Sequence, residues 1–207
     1  MATPSNHQSQ TDPEFRDFTQ TPPWLFQAFN AEFAYDLDAA ALDESALCST
    51  YYTPEIDGLK QDWSQQFSFN RRPAVWINPP FSDILPWMDK AREQQAKGVL
   101  TTLLVPHENR AEWWPHDSAS EIRDIVGYYE TRVYKSGKLK GKEYQKWVSG
   151  GIRFIDAKTG KEMAHELNKP MCLIVFNPFH SGPCAHKTIR KDVLMKIGQQ
   201  ELALLAA

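Results

Sequence analysis

The segment Met171-Cys-Leu-Ile-Val-Phe176 has no polar position, and no other feature constrains the fold of this 207-residue chain as strongly. A strand apolar at every position must be covered on both faces, whereas a half-solvated antiparallel strand alternates apolar and polar residues. Val99–Val105 reads the same way apart from two threonines, and Ala74–Ile77 is a shorter case that must stop at Asn78-Pro79-Pro80. Helical patterns lie among these strands. Thr21 is placed to cap a helix with Pro22 at its first position and Trp24, Leu25, Ala28 and Phe29 on its apolar face. Ser82–Lys97 carries Ile84, Trp87, Met88 and Ala91 on one face, with Pro86 confined to the first turn and Gly98 as the stop. Thr188–Leu205 closes the chain as an amphipathic helix. Helices interleaved with buried strands predict an α/β fold with helices on both faces of the sheet.

The remaining organisation follows from local signals. Residues 1–18 are polar and aperiodic and read as a flexible leader, with a single domain over 19–207. Phe33–Leu37 and Ile122–Val126 are further strand candidates, and Tyr51–Ser68 is irregular. An insertion at about 128–165 is hairpin-like, with Gly137, Gly141, Gly150-Gly151 and Gly160 as turns. With 42% apolar and 24% charged residues, a wholly disordered or disulfide-framework chain is excluded. No apolar run approaches the ~20 residues of a membrane span. Three cysteines, Cys48, Cys172 and Cys184, suit a reducing compartment. The net charge of −3 gives no global nucleic-acid signal, so any affinity for nucleic acid needs a local basic patch.

Asn78-Pro79-Pro80-Phe81 is the sharpest chemical feature. As plain structure it is a turn, in which Asn opens and prolines stiffen. Its place at the carboxyl end of a strand, where ligands bind in open α/β sheets, supports a second reading. An exocyclic amino group on a nucleobase is a poor nucleophile because its lone pair is delocalised into the ring. The Asn78 amide oxygen and the Pro79 carbonyl can each accept one of its two N–H bonds, favouring a pyramidal nitrogen whose lone pair faces an electrophilic methyl group. Prolines at two successive positions preset φ and carry no competing N–H. Phe81 would stack on a base taken out of its helix. Such a site works by positioning and electrostatics, without a metal or a strong base.

The chain resembles the phage-type DNA adenine methylases, which belong to the Rossmann-like, class I methyltransferases that use S-adenosylmethionine. The likeness runs through Thr21-Pro22…Leu25-Phe26, Phe33…Tyr35-Asp-Leu-Asp-Ala-Ala-Ala41, Tyr51-Tyr-Thr-Pro…Asp57-Gly-Leu59…Trp63 and Trp76-Ile-Asn-Pro-Pro-Phe81. It continues through Pro86-Trp87…Lys90-Ala91, Leu103-Leu-Val-Pro106…Trp113 and Glu121-Ile-Arg123. The resemblance implies transfer of a methyl group from S-adenosylmethionine to the amino nitrogen of adenine in double-stranded DNA. It makes Asn78, Pro79, Pro80 and Phe81 the catalytic tetrapeptide. Thr21 and Pro22, Asp36 or Asp38, and Asp57 become cofactor contacts, the plain alternatives being loop capping for Asp36 and Asp38 and a turn residue for Asp57. It also implies a phage or prophage protein in the bacterial cytoplasm. The recognition sequence is not legible, and neither is the oligomeric state, a monomer being the simplest case.

Two departures from the family pattern matter. Ala39-Ala40-Ala41 stands where most methylases have a Gly-rich turn, and Phe81 replaces the commoner Tyr. The same tetrapeptide also serves methylation of RNA bases and of protein glutamine, and a DNA-binding module without catalysis is a third reading. Between Arg132 and Arg153 lie Arg132, Lys135, Lys138, Lys140, Lys142 and Lys146, with Tyr134, Tyr144 and Trp147 interleaved and Glu143 as the one acid. This is the candidate DNA-binding hairpin, with Lys187, Arg190 and Lys191 as the fallback. His180, Cys184 and His186 match no zinc spacing, so no metal is expected. His107-Glu108 follows a strand toward the presumed site.

Overall fold

The computed structural model describes residues 19–66, 73–157 and 159–207. The expected leader and the end of the irregular Tyr51–Ser68 stretch fall outside these residues. The chain runs through α1 (Pro23–Phe33), β1 (Leu37–Asp38), β2 (Thr50–Tyr51), β3 (Ala74–Ile77), α2 (Leu85–Ala96), β4 (Leu100–Pro106) and β5 (Glu121–Val126). It continues through β6 (Tyr128–Val133), β7 (Glu143–Val148), β8 (Met171–Phe176), β9 (Ala185–Arg190) and α3 (Lys191–Leu205).

Seven strands form one sheet in the order β2-β1-β3-β4-β8-β5-β9, while β6 and β7 pair separately as an antiparallel hairpin. β2, β1, β3 and β4 are mutually parallel, and β8 enters antiparallel between β4 and β5. The resemblance to the methylases implies an antiparallel last strand at Met171–Phe176, and the antiparallel entry agrees with it. β8 is not the last strand, because β9 pairs parallel with β5 at the sheet edge.

The period-2 alternation of side chains splits the core into two faces. Val75, Ile77, Leu103, Val105, Cys172, Ile174 and Phe176 point to one side and meet Ile84, Met88 and Ala91 of the α2 region. Trp76, Leu104, Leu173 and Val175 point to the other and meet Leu25, Phe26, Ala28 and Phe29 of α1 and Leu194 of α3. Burial on both sides is what the apolar strands required. Arg123 on β5 holds the end of α1 by a bidentate pair with Glu32 at 2.6 and 3.0 Å.

Several boundaries differ from the expectations for physical reasons. α1 begins at Pro23, and Pro22 supplies the cap through its carbonyl, which accepts from Leu25 and Phe26. Thr21 is therefore not the cap. The expected strand Phe33–Leu37 is cut short because α1 extends to Phe33 and ends on Ala34 in the left-handed region (φ 51°). α2 starts at Leu85, which places Pro86 in its first turn. The first part of the expected helix Thr188–Leu205 belongs to β9. The hairpin ends at Val148, and the described residues from there to 165 are irregular apart from bridges of Ile155 to Gln20 and Glu162.

Candidate active site at the carboxyl ends of β1 and β3

The chain leaves β1 to pair β2 on one side and returns to place β3 on the other. Neighbouring loops diverge at such a reversal and leave a crevice at the carboxyl ends of the strands. A cavity of about 290 Å³ lies there, lined by Thr19–Thr21, Asp38–Leu42, Tyr52–Pro54, Asp57, Gly58 and Asn78 among others. Its size is close to the ~300 Å³ at the lower end of ligand pockets.

Asn78 follows β3 directly. Its Nδ2 donates to the backbone carbonyl of Thr19 at 2.9 Å, and its Oδ1 is buried with no hydrogen-bond partner. A carbonyl can only accept, so this contact turns the NH₂ end of the amide toward Thr19 and leaves the oxygen as a vacant acceptor. A buried acceptor without a partner costs about 1–3 kcal/mol, a penalty that a bound N–H group removes. Pro80 lines the same cavity, Pro79 beside it is buried, and no peptide bond among the described residues is cis. Phe81 does not line the cavity. Its half-buried ring packs edge-on against Phe154 (centroids 6.1 Å, planes at 87°).

Asp38 ends β1 and is 3% exposed. Its Oδ2 accepts from the Leu47 N–H at 3.2 Å and Oδ1 more distantly from Ala40 at 3.4 Å, with no cation beside it among the described residues. Burial pushes its carboxyl up to about 6, partly offset by those two N–H groups. A buried carboxylate without a counter-ion suits a cationic ligand. Asp57 also lines the cavity, at the start of a 3-10 turn with φ 58°, and pairs with Lys60 at 2.8 Å. The hydrogen bond from Lys60 lowers its carboxyl below the usual range. Thr21 is 3% exposed, lines the cavity, and has an Oγ1 without a partner.

The other two expected cofactor contacts lie outside the cavity lining. Asp36 does not line the cavity; its Oδ2 accepts from the Ala74 N–H at 3.1 Å and ties the chain ahead of β1 to β3. Pro22 does not line it either and acts as the cap of α1. Gly58 was legible only as a turn residue, yet a Cβ there would meet the Ala39 carbonyl oxygen at 2.3 Å. The missing Cβ at Gly58 lets its segment pack directly against the backbone of Ala39 in the loop after β1. Tyr52 and Trp76, legible only as part of the family likeness, are further lining residues.

The basic hairpin stands apart from the sheet. Arg132, Lys135, Lys138, Lys140, Lys142 and Lys146 are all exposed, and among them Arg132 alone has an ion-pair partner among the described residues, Glu130 at 2.6 Å. Tyr129 and Trp147 pair across its strands with centroids 5.0 Å apart, 67% and 54% exposed. The fallback cations are engaged: Lys187 with Glu121, Arg190 with Asp192 and Lys191 with Glu166. His180 contacts the Pro183 carbonyl. The described residues bring together a different set of donors, with His107 Nδ1 2.5 Å from Asp124 and Cys172 close by. That contact is a hydrogen bond between the two side chains.

An acid at the end of the first strand, a cavity at the strand-order reversal and an Asn-Pro-Pro-Phe turn after β3 define a Rossmann-like methyltransferase. S-adenosylmethionine, the donor used by that class, fits the donors present: a buried unpaired carboxylate for its positive charge and a vacant hydroxyl at Thr21. The family model for DNA N-6-adenine-methyltransferase (Dam) matches residues 8–201, and the chain belongs to this family. The DNA N-6-adenine-methyltransferase of Escherichia phage T1 is 29% identical over 175 residues, covering 84% of this chain and 68% of that protein. The one of Haemophilus phage HP1 is 27% identical over 174 residues, covering 82% and 84%. The enzyme is accordingly an adenine-specific DNA methyltransferase with S-adenosylmethionine as donor.

Proposed function

We propose that this chain methylates the exocyclic amino nitrogen of adenine in double-stranded DNA at Asn78–Phe81, with the β6–β7 hairpin gripping the duplex. The observation that carries the reading is the Asn78 amide, held by Thr19 so that a buried oxygen is left to accept. Asn78 Oδ1 and the Pro79 carbonyl take the two N–H bonds of the amine and turn its lone pair out of the ring plane. Phe81, steadied by Phe154, presents its ring to the base. Thr21, Asp38 and Asp57 hold S-adenosylmethionine, which when bound supplies an electrophilic methyl group on a sulfonium. The hairpin lysines meet phosphates, and Tyr129 and Trp147 lie among them as stacking surfaces. No helix among the described residues is long and apolar enough to cross a membrane. The cytoplasm of a bacterial host and a monomeric enzyme fit this reading.

The test is mass spectrometry of nucleosides from host DNA and RNA, and of peptides from host protein, with and without expression. N6-methyladenine confined to DNA is the expected result, and methylation confined to RNA or glutamine would refute the assignment of the acceptor. Asn78→Ala should keep cofactor affinity and lose ~10²–10³-fold in transfer rate, the usual cost of deleting a preorganised hydrogen bond. Near wild-type turnover in that variant would remove Asn78 from the mechanism.

A further inference from the structure

We propose that a strap running from the root of the β6–β7 hairpin positions the catalytic turn, with Phe154 set against Phe81 and Thr19–Gln20 set against Asn78. The inference rests on the reading of Asn78–Phe81 as the site of transfer. It assigns a role to residues far from that turn in sequence.

The strap is anchored at its hairpin end. A Cβ on Gly150 would lie 2.6 Å from the backbone carbon of Val126, so the exit of β7 is pressed against the end of β5. Lys191, at the start of α3, donates to the Gly151 carbonyl and pairs with Glu166 at 2.9 Å. Ile152 is fully buried, and its carbonyl accepts from Leu167 at 2.9 Å. The chain then delivers Phe154, also fully buried, edge-on to Phe81. The next residue, Ile155, exchanges two hydrogen bonds with Gln20, at 3.0 and 2.9 Å.

That exchange fixes the position of Thr19. The terminal torsion of an asparagine is broad and roughly two-fold, so its oxygen and nitrogen can trade places. In one orientation Asn78 presents an acceptor to an amine, and in the other it presents a competing donor. The Thr19 carbonyl, 59 residues earlier in the chain, selects the first orientation through its 2.9 Å contact with Nδ2. Gln20, bridged to Ile155, keeps that carbonyl in place. Both working ends of the tetrapeptide are thus held by one stretch of chain that begins where the DNA-gripping hairpin ends.

The experiment compares Gln20→Pro, which deletes the N–H donated to Ile155, with Phe154→Leu, which keeps apolar bulk but removes the ring edge, and Phe154→Tyr, which keeps the ring. The side-chain amide resonance of Asn78, assigned by its disappearance in Asn78→Ala, reports the Thr19 contact without any need for turnover. Single-turnover transfer to an adenine-containing duplex reports positioning. Titrations report affinity for duplex and for S-adenosylmethionine.

Gln20→Pro should shift the Asn78 resonance toward that of a solvent-exposed asparagine and slow transfer at saturating S-adenosylmethionine about tenfold to a hundredfold, with duplex affinity kept. Phe154→Leu should slow transfer while leaving the Asn78 resonance in place, and Phe154→Tyr should restore the rate. If Phe154→Leu does not fold, Gln20→Pro at its half-buried bridge decides the matter. Unchanged resonance and wild-type transfer in Gln20→Pro would overturn the strap, as would a loss of rate matched by loss of folded protein in circular dichroism. A wild-type chain that transfers nothing to DNA, while Gln20→Pro still moves the Asn78 resonance, would refute the functional reading and support the strap.

Discussion

Asp38 should make cofactor affinity depend on pH across the physiological range. Its carboxyl is 3% exposed, receives two backbone N–H groups and has no cation beside it among the described residues, and burial raises it from 3.8 to about 6. An acid raised in the folded state binds its proton more tightly there than in the unfolded chain. Its contribution to stability is therefore fully present below the unfolded value and lost as pH rises through about 6. A cationic ligand reverses the balance, because it favours the carboxylate. Affinity for S-adenosylmethionine should then weaken as pH falls through about 6, approaching tenfold per pH unit once the carboxyl is mostly protonated. Between about pH 7 and pH 5 the change should be roughly tenfold, or about 1.4 kcal/mol. The other acid lining the cavity, Asp57, is held low by Lys60 and does not titrate in this window. Isothermal calorimetry without DNA, on wild type and Asp38→Asn across this range, tests the argument. The variant should bind weakly and without pH dependence. A flat wild-type profile, or the same slope in Asp38→Asn, would refute it.

Replacing Lys138, Lys140 and Lys142 with Ala should weaken duplex binding and flatten its salt dependence by about 0.9 in slope for each phosphate no longer neutralised. S-adenosylmethionine affinity should stay unchanged, and a triple variant with wild-type affinity and slope would reduce the hairpin to a solvated surface. Asp36→Ala should lower stability by about 1–2 kcal/mol by removing its bond to the Ala74 N–H, and thermal melts check this. Its cofactor affinity should match wild type, and a clear weakening would return Asp36 to the ligand set.

β3, β4 and β8 were legible because burial on both faces leaves a local mark, a run of apolar residues bounded by breakers. β9 left none. Its residues Ala185–Arg190 are mostly exposed and polar, and they form a strand because the edge of β5 offers hydrogen bonds. The two-residue strand β2 was equally hidden, and β1 was read as the longer candidate Phe33–Leu37, since so few residues have no period to read. Thr21 illustrates the limit at a single residue. Its type and its place before Pro22 suit a helix cap, but the second proline moves the helix start along by one and leaves the hydroxyl facing inward.

Local signals were enough for the class of fold and the family, and they marked Asn78–Phe81 as the candidate tetrapeptide, because each is written in residues adjacent along the chain. Burial patterns and proline-stiffened turns act over a few residues, and their chemistry is carried wherever they go. The tertiary structure alone decided which acid reaches the cavity, Asp38 rather than Asp36, and which way round the Asn78 amide sits. The first depends on where the Ala74 N–H comes to rest, and the second on a carbonyl 59 residues away. Side chains two positions apart, like the two ends of one amide, are equivalent until something from elsewhere in the fold hydrogen-bonds to one of them.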